Sequence, residues 1–120
     1  HISADINQMK QVFTNLIQNS IQSLGSDDRL IEIETSSNSH NVQVIIKDHG
    51  QGINPEDLDK IFDPYFSRRE KGTGLGLAIV KRIIEQHDGT ITVTSLPRAG
   101  ATFTLTFPKL NNQMQDIKLT

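Results

Sequence analysis

The chemically suggestive residues fall in three places along the chain. Gly72, Gly74 and Gly76 alternate with Thr73 and Leu75 and run straight into an amphipathic pattern that reaches His87. A helix N-terminus presents unpaired amide N–H groups and the positive end of the macrodipole, so it attracts phosphate wherever no side chain blocks the approach. The glycines remove that block, and Arg68, Arg69 and Lys71 precede them with positive charge. A glycine hinge without a ligand is the plainer reading, but a hinge does not ordinarily open a long helix behind three basic residues. Neither familiar phosphate loop fits. The P-loop requires a Gly-Lys-Ser/Thr element, which is absent, and the dinucleotide fingerprint is Gly-x-Gly-x-x-Gly after a strand, not Gly-x-Gly-x-Gly after a polar loop.

The second place is Asp48-His49-Gly50-Gln51-Gly52, at the end of a run of buried character. Two alternate glycines let a flat ligand approach the main chain. A carboxylate there can accept a hydrogen bond from an exocyclic amine, which adenine carries where guanine carries a carbonyl. The same residues also make an ordinary polar turn, and the turn alone does not decide between the two. His49 reads as incidental. The third place is Asn15, Asn19 and Gln22, at i, i+4 and i+7 and away from Leu16 and Phe13. An amide oxygen is a hard neutral ligand, suited to a Mg²⁺ that otherwise keeps water and phosphate oxygens. Taken alone, the stripe reads more readily as a solvated helix face.

The elements that must position these residues follow from periodicity. Ile6, Met9, Val12, Phe13, Leu16, Ile17, Ile21 and Leu24 recur at helical spacing, with Gly25 as the C-cap. Residues 30–36 alternate as a strand does, residues 42–48 are β-branched, and the polar turn between them makes an antiparallel hairpin. Asn54-Pro55 supplies an N-cap and a first-turn proline for a short helix through Ile61. Residues 63–74 form a loop, Leu75–His87 a second long helix, and 90–95 with 101–107 a hairpin closed by residues 96–100. This order predicts an α/β fold: a two-layer sandwich of one mixed, mainly antiparallel sheet with helices on one face. Residues 1–110 are expected to form one domain and 111–120 a loose tail.

The 120 residues suit a single core, and 35% hydrophobic with 22% charged residues is ordinary for a folded domain. A formal net charge of −2 provides no basic field for nucleic acid or an anionic membrane, so any anion binding must be local. Cysteine is absent, which excludes disulfides and thiolate metal sites and suits a reducing compartment. No apolar run is long enough to span a membrane, and no signal-peptide pattern opens the chain. The abrupt start suggests a piece of something larger.

Four motifs, in order and spacing, resemble the N, G1, F and G2 boxes of the catalytic ATP-binding domain of sensor histidine kinases, within the GHKL superfamily. They are Asn15–Asn19, Asp48–Gly52, Ile61–Phe66 and Gly72–Leu77. The resemblance covers roughly residues 5–108. It implies that Mg²⁺·ATP lies between the first helix and a lid, with Asn19 on the metal and Asn15 beside it near the phosphates. Asp48 would take the adenine amine, and Gly50, Gly52 and Ile53 would shape the base pocket. Gly72, Thr73, Gly74, Leu75, Gly76 and Leu77 would line the phosphates. Asn15 and Arg69 would be the catalytic positions, Arg69 standing where relatives often have a lysine. Phe62 and Phe66 resemble the lid anchors, with Phe66 also near the nucleotide, although ordinary core packing accounts for both equally well. Two departures stand out: Gln22 where many relatives carry a phosphate-contacting lysine, and Ala101 where Thr or Ser follows the glycine, which leaves Thr102 as a substitute near the adenine.

Hydrolysing relatives, such as gyrase-type topoisomerases and mismatch-repair ATPases, place a glutamate at the position of Asn15. An amide cannot take a proton from water, which favours phosphoryl transfer by positioning and charge neutralisation. The acceptor histidine should sit on a helix and be followed by an acidic residue, and His1, His40, His49 and His87 do not fit. The resemblance therefore implies a separate histidine-containing dimerisation and phosphotransfer domain of the same parent, a downstream response regulator, a homodimeric parent around a monomeric fragment, and a cytoplasmic location, either free or below a membrane-bound sensor. The alternative is a degenerate nucleotide-responsive module or an anti-sigma-type serine kinase of the same fold.

Overall fold

The computed structural model describes residues 4–23, 30–66, 75–95 and 98–109. The expected C-cap at Gly25, the tail beyond 110, and Arg69, Gly72, Thr73 and Gly74 lie outside them. Helix α1 spans Ile6–Ser23, strand β1 Ile31–Ser37, β2 Asn41–Asp48, helix α2 Gly76–Gln86, β3 Thr90–Ser95 and β4 Ala101–Pro108. Among the described residues no helix is long and apolar enough to cross a membrane.

Asp5 caps α1: its carboxylate accepts the Gln8 N–H (3.0 Å) and its carbonyl the Met9 N–H (2.9 Å). The helix buries Val12, Leu16 and Ser20, while Ile6 and Ile21 stay exposed. The apolar stripe is therefore wider than the buried face, and a serine occupies a core position one turn beyond Leu16. In α2, Val80, Ile83 and Ile84 are buried at i, i+3 and i+4. This helix ends in a Schellman motif, with Gly89 N–H donating to Ile84 O (2.9 Å), Asp88 N–H to Glu85 O (3.0 Å), and Asp88 left-handed at φ 59°.

The expected short helix is a 3-10 helix, Pro55–Asp57, continued by turns. Its bonds run from residue i+3 back to i, as in Asp57 N–H to Asn54 O and Lys60 N–H to Asp57 O, both 2.9 Å. So few residues between Pro55 and Pro64 leave an α-helix little to propagate. Asn54 precedes Pro55 as expected but makes no side-chain cap.

The sheet order is β1-β2-β4-β3 and, among the described residues, every pair is antiparallel, so the mixed component of the expectation is not realised there. β3 does run in the same direction as β2, as a strand–helix–strand crossover requires. β4 returns between them, and no parallel neighbours remain. Alternation along β4 puts Ala101, Phe103, Leu105 and Phe107 on the helix side, with Thr102, Thr104 and Thr106 on the open face. Phe103, Leu105 and Ile46 meet both helices in one core. Each such side chain contributes roughly 1.5–3 kcal/mol on burial, which is what holds the two layers together.

The helices run antiparallel. Asp5 N–H donates to His87 Nε2 (3.1 Å) at one end, and Asn15 Nδ2 to Gly76 O (3.4 Å) at the other. An α2 of 11 residues and a β3 of six are each roughly 16–20 Å long, so the start of α2 lies level with the end of β3. The last residue of β2, the first of β4, the N-terminus of α2 and the second half of α1 therefore share one end of the molecule.

Candidate functional site

Asp48 closes β2 on the helix-facing side and is 1% exposed. Its Oδ1 accepts two backbone N–H groups, Gly50 at 3.0 Å and Ala101 at 3.3 Å. Those bonds fix the direction of a carboxylate at the end of the sheet, as base reading requires. The loop behind it is pinned to the β3–β4 hairpin by Arg98 N–H to Gln51 O (2.7 Å) and Ile53 N–H to Ser95 Oγ (2.7 Å). Gly52 adopts φ 74°, so the glycine requirement inferred from the turn is met there. Gly100 adopts φ 80° and packs so closely on the Asp48 carbonyl that a Cβ would overlap it.

The second corner is the start of α2. Hydrogen bonding within the helix begins with Ile79 N–H to Leu75 O (2.9 Å), so the N–H groups of Gly76, Leu77 and Ala78 have no acceptor inside the helix. Among the described residues no side chain caps this end, and no acidic residue stands in its first turn. A Cβ on Gly76 would meet none of the described residues within 4 Å. The macrodipole makes the field there positive, as an anion site needs. Asn15 and Asn19 are both half-buried, and the Asn15 amide donates to Gly76 O. They flank the buried stripe of α1, not a solvated face; Gln22 alone of the three is exposed.

The F-box phenylalanines pack on the core. Phe62 meets Phe103 edge to face, with centroids 6.4 Å apart, and Lys81 Nζ lies 5.6 Å from the Phe62 ring centroid. Phe66, Leu77 and Ile53 are half-buried against the same cluster. Tyr65 between the two phenylalanines is left-handed (φ 67°) and 77% exposed.

Thr102 is not brought to the Asp48 carboxylate. It pairs with Lys47 and Thr94 on the open face, one residue out of phase with Ala101. The group that reaches Asp48 from this strand is the Ala101 backbone N–H, so the loss of a Thr or Ser side chain at 101 leaves that bond in place. Gly100, Ala101 and Ser95 are thus members of the site that side-chain reasoning missed. A positive-φ glycine closing a hairpin was the available signal for Gly100; backbone donors carry none.

Among the described residues, no three His, Asp or Glu side chains cluster to hold a metal. An amide oxygen such as that of Asn19 is of the type that suits a Mg²⁺ keeping phosphate and water as its other ligands. None of the described histidines joins a metal cluster. His87 donates Nδ1–H to Ile83 O (2.8 Å) while accepting from Asp5, His49 pairs with Glu32 (3.3 Å), and His40 lies in the β1–β2 turn.

Residues 4–111 match the model of the histidine kinase-, DNA gyrase B- and HSP90-like ATPase family. The chain is 44% identical over 109 residues to sporulation kinase A of Bacillus subtilis, covering 91% of this chain and 18% of that protein. It is 45% identical over 107 residues to sensor histidine kinase ZraS of Escherichia coli K12, covering 89% of this chain and 23% of ZraS. The chain thus spans about a fifth of the length of these relatives. Among solved structures, the catalytic domain of histidine kinase ThkA in a nucleotide-free form superposes with a TM-score of 0.79 at 37% identity, over 90% of this chain and 70% of that one. The mycobacterial sensor histidine kinase MprB shares the fold, with a TM-score of 0.80 at 23% identity over 89% of this chain and 76% of that one.

Proposed function

Because the chain belongs to the histidine kinase-, DNA gyrase B- and HSP90-like ATPase family, we propose that it is the ATP-binding catalytic domain of a sensor histidine kinase. The observation that carries this reading is the buried Asp48 carboxylate, held by two backbone N–H groups at the same end of the sheet as the N-terminus of α2. One corner suits an adenine amine and the other a polyphosphate.

Bound ATP supplies the γ-phosphoryl group, whose bond to the ADP oxygen breaks as a bond to an imidazole nitrogen of the acceptor forms. The chain's own residues position and neutralise. Asp48 selects the base, and the N–H groups of Gly76, Leu77 and Ala78 bind phosphate oxygens. Asn19 would provide an oxygen to hold Mg²⁺, which would supply charge neutralisation at the phosphates, and Asn15 would orient them. Arg69 would add charge from outside the described residues. No carboxylate takes the role of a water-activating base at position 15, so transfer to a nucleophile is favoured over hydrolysis. The acceptor is a histidine on a dimerisation and phosphotransfer domain of the parent protein, with a response regulator downstream.

With γ-labelled Mg²⁺·ATP and a cognate histidine-containing domain added in trans, acid-labile label is expected on that domain and not on this chain. Tight ATP binding without any transfer would instead favour a nucleotide-responsive regulatory module.

A further inference from the structure

Ser95 ends β3 and is half-buried on the helix side of the sheet, after the apolar Ile91 and Val93 of the same face. Its Oγ accepts the Ile53 N–H at 2.7 Å, and its hydroxyl donates to Gly100 O at 2.7 Å. The Gly100 carbonyl and the Ala101 N–H belong to one peptide group, and that N–H donates to Asp48 Oδ1 at 3.3 Å. A continuous chain of donors therefore runs from the loop after Asp48, through the Ser95 hydroxyl and one peptide plane, back to the Asp48 carboxylate.

The peptide plane is rigid, so fixing its carbonyl end fixes the direction of its N–H end. Hydrogen bonds in series also polarise one another. The last bond is the longest of the chain, and its strength depends steeply on alignment. Of the two N–H groups on Oδ1, Gly50 is local to Asp48, whereas Ala101 comes from another strand and is oriented through Ser95.

We propose that Ser95 is a positioning residue for base selection: it orients the Gly100–Ala101 peptide that holds Asp48 and so sets the preference for adenine without touching the nucleotide. The proposal rests on the ATP-binding function above. Its test compares wild type, Ser95→Ala and Ser95→Thr by amide hydrogen exchange in the ligand-free domain and by calorimetric titration of Mg²⁺·ATP and Mg²⁺·GTP.

Ser95→Ala should accelerate exchange of the Ala101 amide and raise the Kd for ATP about fivefold, the scale of one hydrogen bond. The Kd for GTP should change far less, so the ATP:GTP preference shrinks. Ser95→Thr, which keeps the hydroxyl, should restore both readouts. A purely structural serine would lower the melting temperature and leave the nucleotide ratio unchanged, and that outcome overturns the proposal, as does an unaltered Ala101 exchange rate. Wild-type protein that binds no ATP overturns the proposed function and the selectivity role together. ATP binding with an unchanged ratio in Ser95→Ala overturns the role of Ser95 alone.

Discussion

Replacing Gly100 by alanine tests how tightly the hairpin is built onto the candidate base site. Gly100 sits at φ 80°, where an L side chain costs about 1–2 kcal/mol. Its Cβ would overlap the Asp48 carbonyl oxygen and lie 3.0 Å from both the Asp48 carbonyl carbon and His49 Cα. These are backbone atoms, so no side chain can swing aside, and overpacking of this kind costs roughly 1–3 kcal/mol. The two contributions together give about 2–5 kcal/mol. For a domain of this size each kcal/mol lowers the melting temperature by roughly 3–5 °C, so Gly100→Ala should melt roughly 6–25 °C below wild type. Thermal unfolding followed by circular dichroism measures this directly. The displaced Asp48 backbone should also weaken ATP binding when the variant is assayed well below its melting temperature. Unfolding within about 2 °C of wild type would refute the reasoning, because it would show that the hairpin yields freely at Asp48.

The other glycine of the site should behave oppositely. Gly76→Ala meets none of the described residues within 4 Å and replaces glycine in a helix, so stability should rise by up to about 1 kcal/mol while Mg²⁺·ATP binding weakens; unchanged binding in a more stable protein would count against the start of α2 as a phosphate surface. Asp88→Gly relieves a left-handed residue in the Schellman motif, far from the site, and should raise the urea midpoint by the equivalent of about 0.5–1 kcal/mol with nucleotide affinity unchanged.

The parts of this fold that local periodicity encodes were legible in the sequence. The apolar recurrence from Ile6 marked α1, and the T-x-T alternation in β3 and β4 gave both strands and the hairpin between them. What neighbours what was less legible. The strand–helix–strand order is compatible with a parallel pair, and only the return of β4 between β2 and β3 decides against it. On α1 the hydrophobic stripe did not show that Ser20 is buried and Ile21 exposed, because that depends on where α2 and the sheet lie.

At the site, the residue types with distinctive chemistry stood out: Asp48, its following glycines and the glycine before α2. The groups that orient them did not, since the Gly50 and Ala101 donors are backbone and the Ser95 hydroxyl looks like any strand-end serine. Thr102 is expected near the adenine only as a substitute for the Thr or Ser that Ala101 replaces, whereas strand alternation turns it to the opposite face from Asp48.

The most direct test of the central claim is calorimetric titration of Mg²⁺·ATP and Mg²⁺·GTP into the wild-type chain and Asp48→Asn. The account predicts ATP-selective binding by the wild type and loss of that selectivity in the variant, with the fold retained. Absence of ATP binding by the wild type, or equal affinity for the two nucleotides that Asp48→Asn leaves unchanged, would contradict it.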